Sequence, residues 1–297
     1  GKNKDHIFLH LDHLDPKILH ERLPGISESA RIFAGVDVTK EPIPILPTVH
    51  YNMGGIATNY HGEVLTKKDG NPDHVVPGLK ALGEAACVSV HGANRLGGNS
   101  LSDLLVFGRR AGIGASDYVK KNGANPVSDG SIKAAADRIE APFHRSGGEN
   151  PYKLHQELQE ITHNLVGIIR TKSELDDAIS KIADIRKRIE NVKVEGGRNF
   201  NPGFHLAFDL DNMLLVAEST AKSAVIREES RGGHTRDDFP TMSAKWRLVN
   251  NISTFDGSKV SVRQESIPEL RKDLFELFDI HELEKYMTPE ELAKGGA

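Results

Sequence analysis

The second half of the chain carries hydrophobic residues at the spacing of amphipathic helices. Apolar positions recur at steps of three and four residues in three stretches, the first behind Asn150-Pro151 and the second behind Ser173. The stretches run from Leu154 to Ile168, from Leu175 to Ile189 and from Met213 to Val225. A period near 3.6 places each set on one helical face, which needs a neighbouring face to bury it. The pattern therefore predicts a small all-α bundle.

The first fifty residues follow a different pattern. Residues 6–12 alternate, with Ile7, Leu9 and Leu11 on one face, which predicts a strand. Asp15-Pro16 is a helix start, and residues 27–33 predict a second short helical piece that ends at Gly35. Residues 40–48 carry Pro42, Pro44 and Pro47, so this segment is expected to be extended and excluded from the centre of a sheet.

Between residues 50 and 120 the pattern is α/β. Residues 56–60 and 62–66 predict a hairpin, followed by a polar loop at 69–73. Pro77-Gly78 predicts a turn before a short strand at 79–82, and a glycine-rich helix begins near Leu101. The polar residues 121–150 are interpreted as a linker. The amphipathic tail, 270–292, is expected either to cover the helical domain or to meet a partner.

Composition narrows the function classes. The net charge of −4 over 297 residues gives no basic surface for nucleic acid. The single cysteine, Cys87, excludes an intrachain disulfide and suits a reducing compartment. No apolar run approaches twenty residues, the length of a membrane-spanning helix. His6 and His10 share a strand face while His13 points away, so no metal site is predicted there.

Residues 91–105, HGANRLGGNSLSDLL, carry the strongest chemical signal. Arg95 stands among small residues before Gly97-Gly98, which allow close backbone approach and a positive φ. Ser100 is predicted to cap the following helix, with Asp103 completing a capping box. A helix N-terminus beside a guanidinium group is suited to an anion, because the free amides and the bidentate fork both bind carboxylates.

Four segments together resemble the flavoprotein subunits of succinate dehydrogenase and fumarate reductase. They are residues 47–55 (PTVHYNMGG), 83–87 (GEAAC), 91–105 and 229–240 (ESRGGHTRDDFP), in the family's order and spacing. The resemblance covers most of the chain from about residue 5 to residue 240. It implies part of an α/β FAD-binding domain, preceded by the end of an α+β capping domain and followed by an all-α helical bundle domain. The implied ranges are 1–49 for the capping domain and crossover, 50–120 for the FAD-binding domain, 121–150 for the linker, 151–240 for the helical domain and 241–297 for a C-terminal extension.

The same resemblance implies roles for five residues. Arg95 and His50 are expected to bind the carboxylates of succinate or fumarate, with His50 orienting the substrate and transferring no proton. Glu84 is expected to accept hydrogen bonds from the ribityl chain of FAD. Ser100 and Leu101 are expected to mark the helix start that faces the flavin, where positive partial charge favours the reduced ring.

The implied activity is FAD-dependent interconversion of succinate and fumarate, as in the tricarboxylic acid cycle and electron transport. Electrons would pass to an iron–sulfur subunit, and a membrane anchor would join through the complex. The implied location is peripheral, on the cytoplasmic face of the inner membrane or on the matrix side in a mitochondrion. The direction of the reaction and the quinone type are left open.

Four charged residues have no role implied by the resemblance: His91, Arg231, His234 and Arg236. Arg231, His234 and Arg236 are interpreted as an ion-pair network at a domain joint, with a surface for the iron–sulfur subunit as the alternative. For His91 no interpretation is offered.

A Gly-x-Gly-x-x-Gly turn, which binds the FAD pyrophosphate in such proteins, does not occur in the sequence. The chain is therefore expected to be the C-terminal portion of a longer flavoprotein, inactive and without FAD when isolated. The family's proton-delivering arginine is expected upstream, so no catalytic residue is assigned within the chain. L-aspartate oxidase, which continues the arginine motif with LASNSLLE, is the alternative enzyme, and an inert interaction fragment is the alternative from another class. Gly97-Gly98 favours the succinate side, while Ser102, where leucine is common, leaves the subgroup open.

Overall fold

The chain divides into two units, residues 1–50 and residues 51–297. The computed structural model describes residues 6–46 and 48–295. Pro47, the first residue of the predicted histidine segment, lies outside the described residues, as do the extreme ends of the two outer predicted domains. The domain limits proposed within residues 51–297 remain predictions.

The first unit contains a two-stranded sheet and two helical pieces. Strand β1 (Ile7–Leu9) pairs antiparallel with β2 (Ile43–Ile45), so the proline-containing segment borders a sheet, as expected. Helix α1 (Pro16–Arg22) is capped by the Asp15 side chain, which accepts from the Lys17 amide. The second piece starts earlier than predicted, because Pro24 suits a first helical position. It runs as α2 (Pro24–Ser29) into a π turn that ends at Gly35, whose φ is 68°.

A small hydrophobic core holds this unit. It comprises Leu19, Ala30, Val36, Val38 and Ile43. Within the ranges 6–46 and 48–295, no group of three or more His, Cys, Asp or Glu residues is placed to hold a metal ion.

The sheet region of the second unit differs from the prediction. Strand β3 (Ile56–Ala57) pairs parallel with β6 (Ala86–Cys87), and β4 (Glu63–Lys68) pairs antiparallel with β5 (Asn71–Lys80). The predicted hairpin between residues 56–60 and 62–66 is wrong, apart from one bridge between Thr58 and Val64.

The actual hairpin turn lies at Asp69-Gly70. Both residues have positive φ, at 51° and 82°, the conformation in which Asp-Gly closes two-residue hairpins. The polar stretch read as a loop is therefore mostly strand, and Pro77-Gly78 lies inside β5, not in a turn.

Two helices follow, and the second corrects the linker prediction. Helix α3 (Asn99–Asn122) begins within the motif of residues 91–105. Helix α4 (Asp129–His144) occupies the middle of the segment read as a linker, with the Ser128 hydroxyl accepting from the Ser131 amide. None of its residues is buried, and its apolar residues are mostly alanine, which leaves only a weak form of the apolar stripe by which helices are recognised.

The predicted bundle is confirmed. It consists of α5 (Pro151–Leu165), α6 (Lys172–Ile189) and α7 (Pro202–Ile226). Leu154, Leu175, Ile182, Leu210 and Leu214 are fully buried between them. Helix α6 begins earlier than predicted. Thr171 is its N-cap and forms a capping box with Glu174, whereas Ser173 does not cap the helix.

The remaining elements pack around the end of the bundle. Strand β7 (Ile169–Arg170) pairs with β8 (Thr235–Arg236). After α8 (Ala244–Arg247), β9 (Val249–Phe255) and β10 (Val260–Ser266) form an antiparallel hairpin. The tail forms three short helices, α9 (Lys272–Phe275), α10 (Ile280–Leu283) and α11 (Pro289–Ala293).

The tail covers part of its own unit. Met287 and Glu291 are buried, and the Glu291 carboxylate accepts from Arg231 at 3.1 Å. Among the helices of the described ranges, none combines the length and apolarity needed to cross a bilayer.

Candidate functional site

Residues 91–98, called the arginine loop below, are mostly exposed and lead into α3. Gly97 adopts a φ of 42°, a positive value of the kind that glycine allows, and Gly98 is the N-cap of α3. The prediction that Ser100 caps the helix is wrong, because α3 begins at Asn99 and no side chain caps it. Asp103 forms no capping box, since its carboxylate is buried against side chains from elsewhere in the chain.

Arg95 has an unusual set of contacts for a half-buried arginine. Its guanidinium carbon lies 4.8 Å from the centroid of the Tyr51 ring. Nη1 donates to the carbonyl oxygen of Gly97. Nε is buried and has no hydrogen-bond partner, and no acidic side chain within the described ranges forms an ion pair with the group. Buried polar atoms are normally paired, so an unpaired donor on a cation suits a bound anion.

Tyr51, His91 and Asp103 form a cluster in which the other two side chains contact Tyr51. The Asp103 carboxylate accepts from His91 Nε2 at 3.0 Å and from the Tyr51 hydroxyl at 3.5 Å. The rings of Tyr51 and His91 meet edge to face, with centroids 5.2 Å apart. Burial, then the charges of Asp103 and Glu84, raise the pKa of Tyr51, so its phenol stays protonated and can donate.

Glu84 lies beside the same segment. It belongs to a single 3₁₀ turn, Gly83–Ala85, and its side chain accepts from the Asn52 amide at 3.1 Å. Nearby, Gly55 has a φ of 125°, and a Cβ there would lie 2.7 Å from the carbonyl oxygen of Ala85. Residues 51–55, 83–87 and 91–103 therefore come together, although they were identified as separate motifs.

The fourth motif, residues 229–240, also contacts the arginine loop. The Gly233 amide donates to the carbonyl oxygen of Ala93 at 2.9 Å. A Cβ at Gly232 would lie only 2.4 Å from the same oxygen, and Gly232 has a φ of 59°. Gly232 of the C-terminal signature thus permits the backbone of the arginine loop to approach.

The charged residues of that signature are held inside the unit. Arg231 bonds Glu229, which is fully buried, while Arg236 pairs with Asp238 at 2.7 Å. His234 Nδ1 accepts from Arg170 Nη1, and His234 Nε2 donates to the Arg227 carbonyl oxygen, each at 3.0 Å. Burial lowers the pKa of His234, which keeps its ring neutral near pH 7. This arrangement matches the ion-pair interpretation more closely than an exposed partner surface.

The other residues singled out from the sequence are placed as follows. His50 is exposed and is the last residue of the first unit. Ser100 is half-buried in the first turn of α3, and Leu101 beside it is 64% exposed. Their roles remain predictions. The contacts among Tyr51, His91 and Asp103 were missed, because pairing across 12 to 52 positions leaves no local pattern in the sequence.

Comparison with known proteins gives a consistent family. A family model described as "FAD binding domain" matches residues 1–101, and one described as "Fumarate reductase flavoprotein C-term" matches residues 155–275. The chain is 48% identical to the succinate dehydrogenase flavoprotein subunit of Rickettsia bellii over 86% of its own length and 43% of that relative. It is 40% identical to the fumarate reductase flavoprotein subunit of Escherichia coli, over 79% of the chain and 38% of that protein.

A solved structure agrees with these relatives. The structure of Mycobacterium smegmatis Sdh1 in complex with UQ1 matches with a TM-score of 0.78 and 44% identity. The match covers 97% of the chain and 47% of that protein, so the chain spans less than half the length of the relatives it resembles. These matches do not favour the L-aspartate oxidase alternative. The chain belongs to the family of succinate dehydrogenase and fumarate reductase flavoprotein subunits.

Proposed function

We propose that this chain contributes substrate-binding and FAD-binding residues to an oxidoreductase that interconverts succinate and fumarate. The observation that carries the proposal is the guanidinium of Arg95, which has a buried, unpaired Nε and no acidic partner in the described residues. A dicarboxylate supplies the missing acceptor. Arg95 binds one carboxylate through its fork, and His50 binds the other end.

The surroundings of the arginine loop fit FAD. The first turn of α3 has no side-chain cap, and a Cβ at Gly97 or Gly98 would meet no atom within 4 Å. Leu101 presents an exposed apolar side chain at that turn, and the exposed Glu84 carboxylate accepts one hydrogen bond from the described residues, that of the Asn52 amide. This combination offers donors, apolar surface and an acceptor for hydroxyl groups.

In that arrangement Glu84 accepts hydrogen bonds from the ribityl hydroxyls, while Ser100 and Leu101 place the first-turn amides of α3 against the flavin. Their partial positive charge favours negative charge on the bound ring. FAD bound beside these residues would supply the redox chemistry of succinate oxidation. The chain's own residues bind and orient the dicarboxylate, and no proton-transferring residue is assigned among them.

We infer further that the protein is a subunit of a complex. Relatives are named flavoprotein subunits, which supports an iron–sulfur subunit as electron acceptor and a membrane anchor beyond it. The protein would then be peripheral, on the cytoplasmic or matrix face of the membrane. Affinity purification from native membranes tests this, because a protein recovered without an iron–sulfur subunit contradicts the proposal.

The function itself is tested by succinate-driven dye reduction in the FAD-containing holoprotein. Arg95→Lys keeps the charge but loses the fork, which is expected to lower turnover by about tenfold to a hundredfold. Arg110→Lys is the matched control, since Arg110 also lies over a tyrosine ring, that of Tyr60, at 5.1 Å. Activity of Arg95→Lys within twofold of the unmodified protein contradicts the assignment.

A further inference from the structure

Arg95 is held in place without a negative partner. A long side chain with several rotatable bonds loses much entropy when it is fixed, so something must stabilise one conformation. A neighbouring carboxylate would do so, but it would occupy the fork and cancel the charge that a substrate needs. The Tyr51 ring, 4.8 Å from the guanidinium carbon, attracts the cation through its π face and uses none of its N–H donors.

The position of the ring is set by two other side chains. Asp103 lies in the second turn of α3 and is 6% exposed, so the helix fixes its carboxylate. Its Oδ2 accepts from both the Tyr51 hydroxyl and His91 Nε2. Since an ionised carboxylate can only accept, Nε2 of His91 carries a proton. The edge-to-face contact between His91 and Tyr51 closes the cluster.

We propose that Tyr51, His91 and Asp103 are positioning residues that hold the Arg95 guanidinium over the Tyr51 ring with its Nε free for a carboxylate. The identity of that carboxylate rests on the function proposed above, but the positioning of Arg95 does not. The cluster connects α3 to the arginine loop, so the helix start and the anion-binding group share one support.

If the cluster had only a structural role, substitutions in it would lower the free energy of unfolding. They would leave the exposure of Arg95 unchanged relative to other arginines. The chain contains a reference, because Arg110 also lies over a tyrosine ring, that of Tyr60, at 5.1 Å, although its Nε donates to the Tyr60 carbonyl oxygen at 2.7 Å. The ratio of Arg95 to Arg110 modification in a single sample therefore separates local release of Arg95 from general loosening of the fold.

The experiment uses the holoprotein without substrate, treated with phenylglyoxal and analysed by peptide mass spectrometry. Tyr51→Leu removes the π face and is expected to raise the Arg95/Arg110 modification ratio about fivefold. Tyr51→Phe keeps the ring and is expected to stay within about twofold of the unmodified protein. Tyr60→Leu is the control and is expected not to raise the ratio, because it leaves Arg95 in place and Arg110 keeps its hydrogen bond to the carbonyl oxygen of residue 60.

Asp103→Asn and His91→Gln test the support of the ring. Both keep the approximate size of the side chain and weaken the contact between residues 91 and 103, so both are expected to raise the Arg95/Arg110 ratio. An unchanged ratio in Asp103→Asn or His91→Gln removes that residue from the proposal. These variants also keep the test decisive if Tyr51→Leu does not fold.

Malonate titration, followed through the flavin spectrum, provides the second measurement. Tyr51→Leu is expected to raise the malonate Kd about fivefold or more, while Tyr51→Phe and Tyr60→Leu leave it within about twofold. An unchanged Arg95/Arg110 ratio in Tyr51→Leu overturns the proposal. A raised ratio in a protein that binds no malonate supports the positioning of Arg95 and contradicts the proposed function instead.

Discussion

Arg236 offers the sharpest test of whether the C-terminal signature is a structural network. Its side chain is fully buried, and Nη1 donates to the carbonyls of Ala224 and Val225 at 2.9 and 3.1 Å. These carbonyls belong to the last turn of α7, where no further helical amide can reach them. Nε and Nη2 bind both oxygens of Asp238, each at 2.7 Å. Arg236 thus caps a helix and neutralises a carboxylate at once.

Arg236→Met keeps the length of the side chain and removes every donor. Each buried carbonyl left without its donor costs about 1–3 kcal/mol. Asp238 retains 30% of its side-chain exposure and can rehydrate, so losing the ion pair adds at most about 1 kcal/mol. We expect the free energy of unfolding to fall by about 3–5 kcal/mol, a large part of the roughly 5–15 kcal/mol that stabilises a typical domain.

Equilibrium urea unfolding, monitored by far-ultraviolet circular dichroism, measures this loss. Arg138→Met is the matched control, because Arg138 faces Asp211 at 3.7 Å with both side chains more than half exposed. Its effect is expected to stay within about 0.5 kcal/mol. If Arg236→Met costs less than about 1 kcal/mol, the network contributes little to stability and the interpretation as a structural cap is refuted.

Three further predictions follow from the described contacts. Gly232→Ala introduces a Cβ 2.4 Å from the Ala93 carbonyl oxygen and is expected to destabilise the fold more than Gly35→Ala, whose φ of 68° is similar but whose surroundings are open; equal losses in urea unfolding would show that the contact is unimportant. The Arg236 hydrogen bond lowers the pKa of Asp238 from 3.8 to about 2, so its ionised form stabilises the fold fully above the unfolded pKa and loses that effect as pH falls through about 2. The difference in unfolding free energy between the unmodified protein and Asp238→Asn should therefore be largest at neutral pH and should shrink between pH 4 and 2. A difference that stays constant with pH contradicts this prediction. His50→Ala is expected to weaken malonate binding, titrated through the flavin spectrum, without loss of flavin; unchanged affinity or a colourless protein contradicts the role of His50.

The elements that the sequence predicted well are those with strong local periodicity. The three bundle helices repeat apolar residues over many turns, and the starts at Asp15 and Asn150 carry a capping side chain followed by proline. The exposed helix α4 and the hairpin of β9 and β10 were missed because their apolar patterns are weak. The apolar residues of α4 are mostly alanine and none is buried, while β9 and β10 carry polar residues at most positions.

The candidate site was predicted only in part because its contacts are non-local. Local sequence favoured Ser100 and Asp103 as a capping box, but His91 and Tyr51 draw the Asp103 carboxylate into the interior. The four motifs were recognised by their resemblance to a family. Only the structure shows that three of these segments lie together, residues 51–55, 83–87 and 91–103. It also shows that Gly233 contacts Ala93.

The hydrogen bond between Gly233 and Ala93 has a consequence for the order of events during synthesis. The two residues are 140 positions apart, so the arginine loop emerges from a ribosome long before the glycines that pack against it. At roughly 5–20 residues per second, the interval is about 7–28 s, far longer than a helix needs to form. During that time the nascent loop lacks the two glycines that pack against Ala93. A chaperone or assembly factor that acts on the growing chain would meet this loop in a state that the finished protein never presents.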